Sequence, residues 1–344
     1  MKNNPLFGKF DDVMKSALRV PTDNKPGSFF GGKAKLKFAD MFCGIGGFHT
    51  AGAALGMECV FACDIDADCR KIYEHNYGIK PESDICRIDP ASVPDHDVLF
   101  AGFPCQPFSI IGNRGGFSDA RGTLFFELAK VIEAKQPPAL VLENVRLLAS
   151  HNEGKTLQRI TEVLTELGYH VEHKILNALD FGLPQKRERI LIVGFKGGAS
   201  GFNWPDRVLP MIPLKELLEA KPDPRFFVSE RIRRKRHAEH KAKVTPSIWH
   251  ENKAGHISSY PYSCALRAGA SYNYLLVDGD RRLTPRELLR LQGFPDSFEI
   301  IGNDSTIRKQ AGNSVPVPMV KAVIERVIHA RQAEAQTQRH SKAA

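Results

Sequence analysis

A cysteine between two prolines is the side chain of this sequence best suited to covalent chemistry. Cys105 lies in the segment 102–109, which reads GFPCQPFS and follows the apolar run 98–101. Proline restricts φ and removes a backbone donor, so this turn is stiff and cannot extend a sheet. In open α/β sheets, ligands bind beyond the carboxyl ends of the strands, where this turn is expected. Cys105 is therefore predicted to be a rigidly presented nucleophile.

A carboxylate and guanidinium groups are predicted at the same edge of the sheet. Glu143 follows the apolar run 139–142, and the segment 185–189, which contains Arg187 and Arg189, leads into a later predicted strand. Surface ion pairing is the alternative interpretation of the two arginines. A carboxylate buried without a partner is costly, which makes a glutamate at a buried strand end a stronger functional candidate. The thiol, the carboxylate and the guanidinium groups are expected to converge on one rim.

A glycine-rich turn, residues 42–48 (FCGIGGF), follows the first predicted strand and opens the first predicted helix. Its G-x-G-G spacing lets a ligand approach the backbone closely. The turn lacks the third glycine of a dinucleotide-binding fold, and no arginine or lysine follows it to bind a phosphate. Asp64 ends the next strand, where an acidic residue can bind ribose hydroxyls, and Asp84 can accept from an adenine amino group. A tight strand-to-helix connection is the alternative. Together these residues favour a nucleoside cofactor without a pyrophosphate, such as S-adenosylmethionine.

Short apolar runs alternate with amphipathic stretches, which predicts an α/β fold with a parallel sheet. Predicted strands are 36–42, 58–63, 97–101, 139–143, 170–176 and 189–195. Predicted helices are 48–55, 67–76, 124–134, 155–167, one opened by a capping box of Thr284 and Glu287, and a last helix over 318–330 with a frayed tail. The predicted segments are a leader or arm (1–35), a catalytic and cofactor-binding domain (36–195), a smaller irregular domain (196–281) and a C-terminal segment returning to the catalytic domain (282–344).

The chain carries a net charge of +9, which favours a polyanionic partner. The basic block 231–243 is interpreted either as a phosphate-contacting surface or as a solvated helix face. Seven cysteines without C-x-x-C spacing favour neither a disulfide framework nor a zinc site, so no metal is expected. Neither a signal peptide nor a membrane-spanning run is recognised, so a cytoplasmic protein is expected.

The chain resembles the DNA cytosine-5 methyltransferases, especially the small bacterial ones of restriction–modification systems. The matching blocks are 38–48, 102–109, 143–145, 185–189, 282–287 with 291–295, and 312–316. The resemblance implies a Rossmann-like S-adenosylmethionine-dependent methyltransferase fold, with a mostly parallel sheet and helices on both faces. It also implies that 196–281 form a smaller target-recognition domain.

By this resemblance, Cys105 attacks C6 of cytosine and makes C5 nucleophilic toward the cofactor methyl group. Glu143 would bind the N3 and N4 edge and Arg189 would hold O2. Arg187 is assigned to the same catalytic group, in which it would support the loop. Because C6 is inaccessible in a stacked duplex, the cytosine must be flipped out. The glycine-rich loop 109–122 has the composition of a mobile lid.

The cofactor site is predicted to include Phe42, Gly44, Gly46, Gly47, Asp64, Ile65, Asp84, Ile85, Pro104 and Asn313. Predicted DNA contacts are Gln185, Ser109, Arg231, Arg233, Arg234, Lys235, Arg236 and Arg267. Two departures from the family pattern are Ile65, where an aromatic over adenine would be replaced by apolar packing, and the segment 264–267, where a Thr-Leu pair is often found. Double-stranded DNA is the expected partner of a monomeric enzyme, with a cognate restriction endonuclease in the same system.

Three other classes of function are weighed against this one. A non-catalytic DNA-binding regulator is disfavoured because Cys105, Glu143 and the glycine turn are all present. A tRNA cytosine methyltransferase shares the chemistry, but its known members lack a large recognition domain. The missing third glycine and the Pro-Cys-Gln-Pro turn argue against an NAD-dependent dehydrogenase.

Overall fold

A computed structural model describes residues 35–104, 124–198, 201–206 and 209–343, with side chains up to residue 334. Cys105, Ser109 and the predicted lid 109–122 lie outside the described residues, as does almost all of the predicted leader. The described residues form two compact units. The sheet unit comprises 35–176, 188–206 and 319–343 within the described ranges, and the second unit comprises 177–187 and 209–318. This division places 282–318 with the second unit.

Strands and helices alternate along much of the described chain. The strands are β1 Lys37–Met41, β2 Glu58–Cys63, β3 Val98–Ala101, β4 Ala139–Val145, β5 Tyr169–Asn177, β6 Gln185–Lys186, β7 Glu188–Lys196, β8 Ile248–Glu251, β9 Ile257–Tyr260, β10 Ser263–Cys264 and β11 Leu275–Val277. The α-helices are α1 Gly47–Ala54, α2 Ala67–Tyr77, α3 Leu124–Lys135, α4 Lys155–Glu166, α5 Leu214–Leu217, α6 Glu230–Glu239, α7 Pro285–Gln292, α8 Asp304–Asn313 and α9 Val317–Ala343.

The sheet unit is built on six strands in the order β2-β1-β3-β4-β7-β5. The neighbours β2, β1, β3 and β4 are parallel, whereas β7 runs antiparallel to β4. Central strands covered on both faces read as continuous apolar runs, and all four residues of β3 are buried. The mostly parallel sheet predicted from the sequence is confirmed, and all six predicted strands form within two residues of their expected ends.

Helix α9 corrects one expectation. The sequence predicts a frayed tail beyond 330, but the helix continues to Ala343. The segment 331–343 contains neither glycine nor proline and is rich in alanine, glutamine and charged residues, which favour helix. Arg331 also binds Glu334 on the same helix at 2.7 Å. Within the described residues, no helix is both long and apolar enough to cross a membrane.

The second unit contains a three-stranded antiparallel sheet, β11-β8-β9, and the parallel pair β10-β6. Its helix α7 begins with the predicted capping box, in which the Thr284 side chain accepts from the Glu287 amide and the Glu287 side chain accepts from the Thr284 amide. Glu287 is fully buried. Its carboxylate oxygens also accept from the Arg281 guanidinium at 2.8 Å each and from the backbone N–H of Glu219 at 2.8 Å. One buried carboxylate thus joins three segments of this unit.

Replacing Glu287 with alanine should destabilise the second unit strongly, because Arg281 would be left as a buried charge without this carboxylate. Breaking a buried ion pair in this way costs about 3–5 kcal/mol. Urea unfolding followed by circular dichroism measures the change. The control is Glu239→Ala, which removes an exposed pair with Lys235 at 3.8 Å and should cost less than about 0.5 kcal/mol. Equal losses in the two variants would contradict this prediction.

Candidate active site

Glu143 and Arg189 meet at the carboxyl edge of the sheet. Glu143 lies near the end of β4, and Arg189 lies near the start of β7. Because β7 is antiparallel to β4, its first residues pair with the last residues of β4, with Val145 opposite Arg189. Arg189 Nε donates to Glu143 Oε1 at 2.7 Å, and the two side chains are 13% and 10% exposed. The structure therefore brings together two of the side chains predicted for one rim, as a nearly buried ion pair.

The segment leading to Cys105 lies beside this pair. The side-chain amide of Asn144 donates to the backbone carbonyl of Phe103 at 2.9 Å, and both residues are buried. A Cβ built on Gly102 would lie 3.7 Å from Glu143 Oε2. Glu143 and Asn144, two consecutive residues of β4, thus lie next to Gly102 and Phe103, at the start of the turn that leads to Cys105.

Asn144 holds the segment before Cys105 in place through the Phe103 carbonyl. No role was predicted for this residue from the sequence. A buried side-chain amide requires hydrogen-bond partners, and this one also accepts from the backbone N–H of Val145 at 2.8 Å. An asparagine directly after a strand-end glutamate is the signal that could have identified it. Its partner, a backbone carbonyl, carries no sequence signature.

The glycine turn after β1 is joined directly to the loop after β2. Gly44 and Gly46 adopt positive φ angles of 54° and 84°, a region that favours glycine. Asp64 Oδ2 accepts from the Gly44 amide at 2.7 Å, and Asp64 Oδ1 accepts from the Asp66 amide at 2.8 Å. Burial raises the pKa of Asp64, and these two amide hydrogen bonds partly oppose that rise. The carboxylate therefore fixes the relative placement of the two loops.

The segment that carries Asp84 runs beside the end of β2. The Asp64 amide donates to the Glu82 carbonyl at 3.0 Å, and the Glu82 amide donates to the Ala62 carbonyl at 2.9 Å. Asp84 itself caps a short 3-10 helix, Ile85–Arg87, by accepting from the Cys86 amide at 3.0 Å. Its carboxylate is thereby held in place next to the loop of Asp64.

These residues fit an adenosyl group. Ile65 is 75% exposed next to Asp64, and among the described residues other than the chain neighbours of Gly44, no atom lies within 4 Å of a Cβ built on Gly44. An exposed apolar side chain, a carboxylate and an open glycine backbone suit a base, ribose hydroxyls and a close approach of ligand to main chain. The predicted cofactor residues that belong to the sheet unit are Phe42, Gly44, Gly46, Gly47, Asp64, Ile65, Asp84, Ile85 and Pro104. Asn313, the last residue of α8, belongs to the second unit.

Arg187 has a structural position that corrects its assignment as a catalytic group. Its side chain is among the largest fully buried ones. One guanidinium nitrogen donates to the Leu266 carbonyl at 2.9 Å, and the other donates to the carbonyls of Gly312 and Ser314 at 3.0 and 2.7 Å. The guanidinium thus stabilises backbone segments of the second unit, in keeping with the supporting role also expected for it.

Two predicted DNA contacts are buried, and both assignments are corrected. Gln185 is fully buried, where its amide donates to the Leu291 carbonyl at 2.8 Å and accepts from the Leu266 amide at 3.0 Å. Arg236 is buried on the inner face of α6 and donates to Glu251 and to the Asn273 carbonyl at 2.5 and 2.6 Å. Buried polar groups need such partners, so neither side chain presents a surface to a phosphate.

The other basic residues predicted to contact DNA are exposed. On α6, Arg233, Arg234 and Lys235 form ion pairs with Asp280, Glu230 and Glu239 respectively. Exposed pairs of this kind are weak and exchange readily for other anions. Arg231 is exposed on the same helix, and Arg267 is exposed with its guanidinium over the Tyr274 ring. The outer face of α6 is therefore both a solvated helix face and a surface suited to phosphates.

Comparisons with known proteins identify the family and the fold of the chain. Residues 36–329 match the model of the family described as C-5 cytosine-specific DNA methylase. The chain is 54% identical over 289 residues to Type II methyltransferase M.NgoBI of Neisseria gonorrhoeae, covering 83% of this chain and 91% of that protein. It is 50% identical over 299 residues to Type II methyltransferase M.HaeII of Haemophilus aegyptius, covering 86% and 93%. Among solved structures, the S. pombe Dnmt2 methyltransferase shares the fold, with a TM-score of 0.64 at 22% identity over 86% of this chain and 98% of that one.

Asn144→Asp should loosen the turn after β3, because a carboxylate cannot donate to the Phe103 carbonyl. Loss of one hydrogen bond of about 1.4 kcal/mol raises the population of the locally open state roughly tenfold. The hydrogen-exchange rate of the peptide that contains residues 102–104 measures this change. Asn203→Asp, which changes an exposed amide with a 3.5 Å contact to the Gly201 carbonyl, is the matched control. Exchange in this peptide that stays at the wild-type rate in both variants would refute the positioning role of Asn144.

Proposed function

The chain belongs to the family of C-5 cytosine-specific DNA methylases, and we propose that it methylates a flipped cytosine through a covalent intermediate. As a DNA cytosine-5 methyltransferase of the restriction–modification type, it would take the methyl group from S-adenosylmethionine and act within one short duplex sequence. The observation that carries the proposal is the Glu143–Arg189 pair beside the turn that leads to Cys105.

The Glu143–Arg189 pair suits the polar edge of a cytosine. Cytosine presents an amino donor at N4, the ring nitrogen N3 and the acceptor O2 side by side. A carboxylate accepts from N4, and a guanidinium donates to O2. Because Arg189 Nε already binds Glu143 Oε1, the two groups are oriented together before a base arrives. The Arg189 guanidinium stabilises negative charge that develops at O2, and a proton held between Glu143 and N3 neutralises the charge that develops at N3.

Cys105 is proposed as the nucleophile. Its thiolate forms a bond from Sγ to C6, and the displaced electron pair makes C5 nucleophilic. Once C5 has gained the methyl group, a base removes the C5 proton, the Sγ–C6 bond breaks, and the thiolate and the aromatic ring are restored. The thiolate is the reactive form, so nearby cationic groups that lower the thiol pKa favour the first step.

The loops after β1 and β2 are proposed to hold the methyl donor. S-adenosylmethionine supplies an electrophilic methyl group when it is bound. Asp64 would bind the ribose hydroxyls, Ile65 would pack on the adenine ring, and Asp84 would accept from its amino group. Gly44 leaves room for the ligand to approach the backbone. Pro104 is proposed at the methionine end.

Duplex DNA is the proposed polymer substrate. Residues 196–281 are proposed to read the target sequence, and the exposed basic face of α6 is proposed to bind phosphates. Flipping the cytosine out of the stack exposes C6 to the thiolate. The enzyme is expected to act as a monomer on the cytoplasmic DNA of a bacterium, and a cognate restriction endonuclease is expected to recognise the same sequence.

Cys105→Ser should abolish methyl transfer, because a hydroxyl at neutral pH is a far weaker nucleophile than a thiolate. The rate of methyl incorporation into duplex DNA should fall by at least about 1,000-fold, while binding of target DNA and of S-adenosylhomocysteine is retained. Cys59→Ser, which alters a half-buried thiol of β2 and keeps a donor to the Phe61 carbonyl, serves as the control and should keep the wild-type rate. Methyl transfer by the Cys105 variant at a rate near that of wild type would rule out the covalent mechanism.

Replacing Arg231 and Arg234 with alanine should weaken DNA binding to a similar extent for target and non-target sequences. Each lost phosphate contact should reduce the slope of log K against log salt concentration by about 1. Titrations of labelled duplexes at several salt concentrations measure this slope. Lys130→Ala on α3, which removes an exposed positive charge from the sheet unit, is the control. A slope unchanged by the double substitution would exclude α6 from the DNA interface.

A further inference from the structure

Two side chains of α2 contact the two loops proposed to hold the cofactor. Arg70 donates from one guanidinium nitrogen to the carbonyls of Asp64 and Ile65, at 2.8 Å each. The Tyr77 hydroxyl lies 2.9 Å from the Gly46 carbonyl and 3.3 Å from the Ile45 carbonyl, and donates to this pair. Each side chain therefore bridges two consecutive carbonyls of one loop.

The spacing of these two residues follows from helix geometry. Arg70 and Tyr77 occupy positions i and i+7 of α2, so they lie on one face about two turns apart. Asp66 caps the start of the helix by accepting from the amides of Asp68 and Cys69 at 3.0 and 3.2 Å. The loop of Asp64 and Ile65 is thus continuous with a well-capped helix whose other end reaches the glycine turn.

The contact between Tyr77 and the glycine turn is close. A Cβ built on Gly46 would lie 2.2 Å from Tyr77 Cε2, so the ring occupies the space that any other residue at 46 would need. The Tyr77 ring also stacks on His49, with the centroids 3.9 Å apart and the planes at 17°. The Thr50 hydroxyl, 2.7 Å from the Tyr77 hydroxyl, donates to the same Gly46 carbonyl at 2.9 Å. The ring and its hydroxyl together determine where the turn lies.

We propose that Arg70 and Tyr77 are positioning residues for S-adenosylmethionine, which set the distance between the glycine turn and the loop of Asp64 and Ile65. Both act through backbone carbonyls and touch no reacting atom. The direct link between the loops, from the Gly44 amide to Asp64 Oδ2 at 2.7 Å, depends on this distance. The inference rests on the proposed function, since it concerns affinity for that cofactor.

Tyr77→Phe and Arg70→Ala test the inference in the full-length chain, with S-adenosylhomocysteine as the probe in isothermal titration calorimetry. Each variant removes one of the side-chain donors to a loop, so Kd should rise about five- to tenfold. The rate at saturating S-adenosylmethionine and the affinity for target DNA should stay near wild type. Arg70→Lys keeps the charge but not the planar fork, and should recover part of the affinity.

Two controls separate positioning from a general loss of stability. Tyr169→Phe removes a buried hydroxyl that donates to the Pro137 carbonyl at 2.8 Å, in the same unit. Lys71→Ala removes an exposed side chain next to Arg70 on α2. Both controls should bind S-adenosylhomocysteine as wild type does. The inference would be overturned if S-adenosylhomocysteine binding weakened in controls and variants alike, and only in proportion to a fall in melting temperature.

The possible outcomes distinguish this inference from the proposed function. Binding by the wild type with an unchanged Kd in both Tyr77→Phe and Arg70→Ala overturns the positioning role alone. Failure of the folded wild type to bind S-adenosylhomocysteine overturns the proposed function together with the inference. Weakened binding in the two variants, with unchanged DNA affinity and unchanged melting temperature, supports both.

Discussion

The candidate active site depends on keeping a nearly buried carboxylate next to a guanidinium at one edge of the sheet. Glu143 lies near the carboxyl end of β4, so its partner must reach that same edge. The nine-residue strand β7 spans roughly 30 Å. In a parallel orientation its first residues would lie at the opposite edge, far from Glu143. The antiparallel direction of β7 is therefore the topological feature that allows Arg189 to bind Glu143.

A carboxylate at a strand end is also held by donors at the proposed cofactor site. Asp64 directly follows β2, and Glu143 lies near the end of β4. Each carboxylate accepts a hydrogen bond from a group on another element, the Gly44 amide for Asp64 and the Arg189 guanidinium for Glu143. For Asp64 the donors are backbone amides of two loops, and α2 contacts both of those loops. For Glu143 the donor is a side chain on the neighbouring strand, and Asn144 connects the same strand to the turn before Cys105. The strand ends thus place these two carboxylates, and the contacts around them limit their movement.

Much of the sheet unit could be predicted from the sequence, because its central strands are buried apolar runs with clear ends. The ends of β2 and the capping box of α7 agree with prediction for this reason. The burial of Gln185, Arg187 and Arg236 could not be predicted. Their residue types suit a surface, and the partners that make burial favourable lie far along the chain, as Gly312 does from Arg187. The proposed role of Arg70 and Tyr77 could not be predicted either, because their acceptors are backbone carbonyls, which have no sequence signature.

Sequencing of bisulfite-treated DNA at single-base resolution tests the central claim most directly. The DNA would come from cells that express this chain and from matched cells that do not. The account predicts 5-methylcytosine at one cytosine of one recurring short sequence, in the expressing cells alone. A complete absence of 5-methylcytosine, with the protein folded and able to bind S-adenosylhomocysteine and duplex DNA, would contradict it.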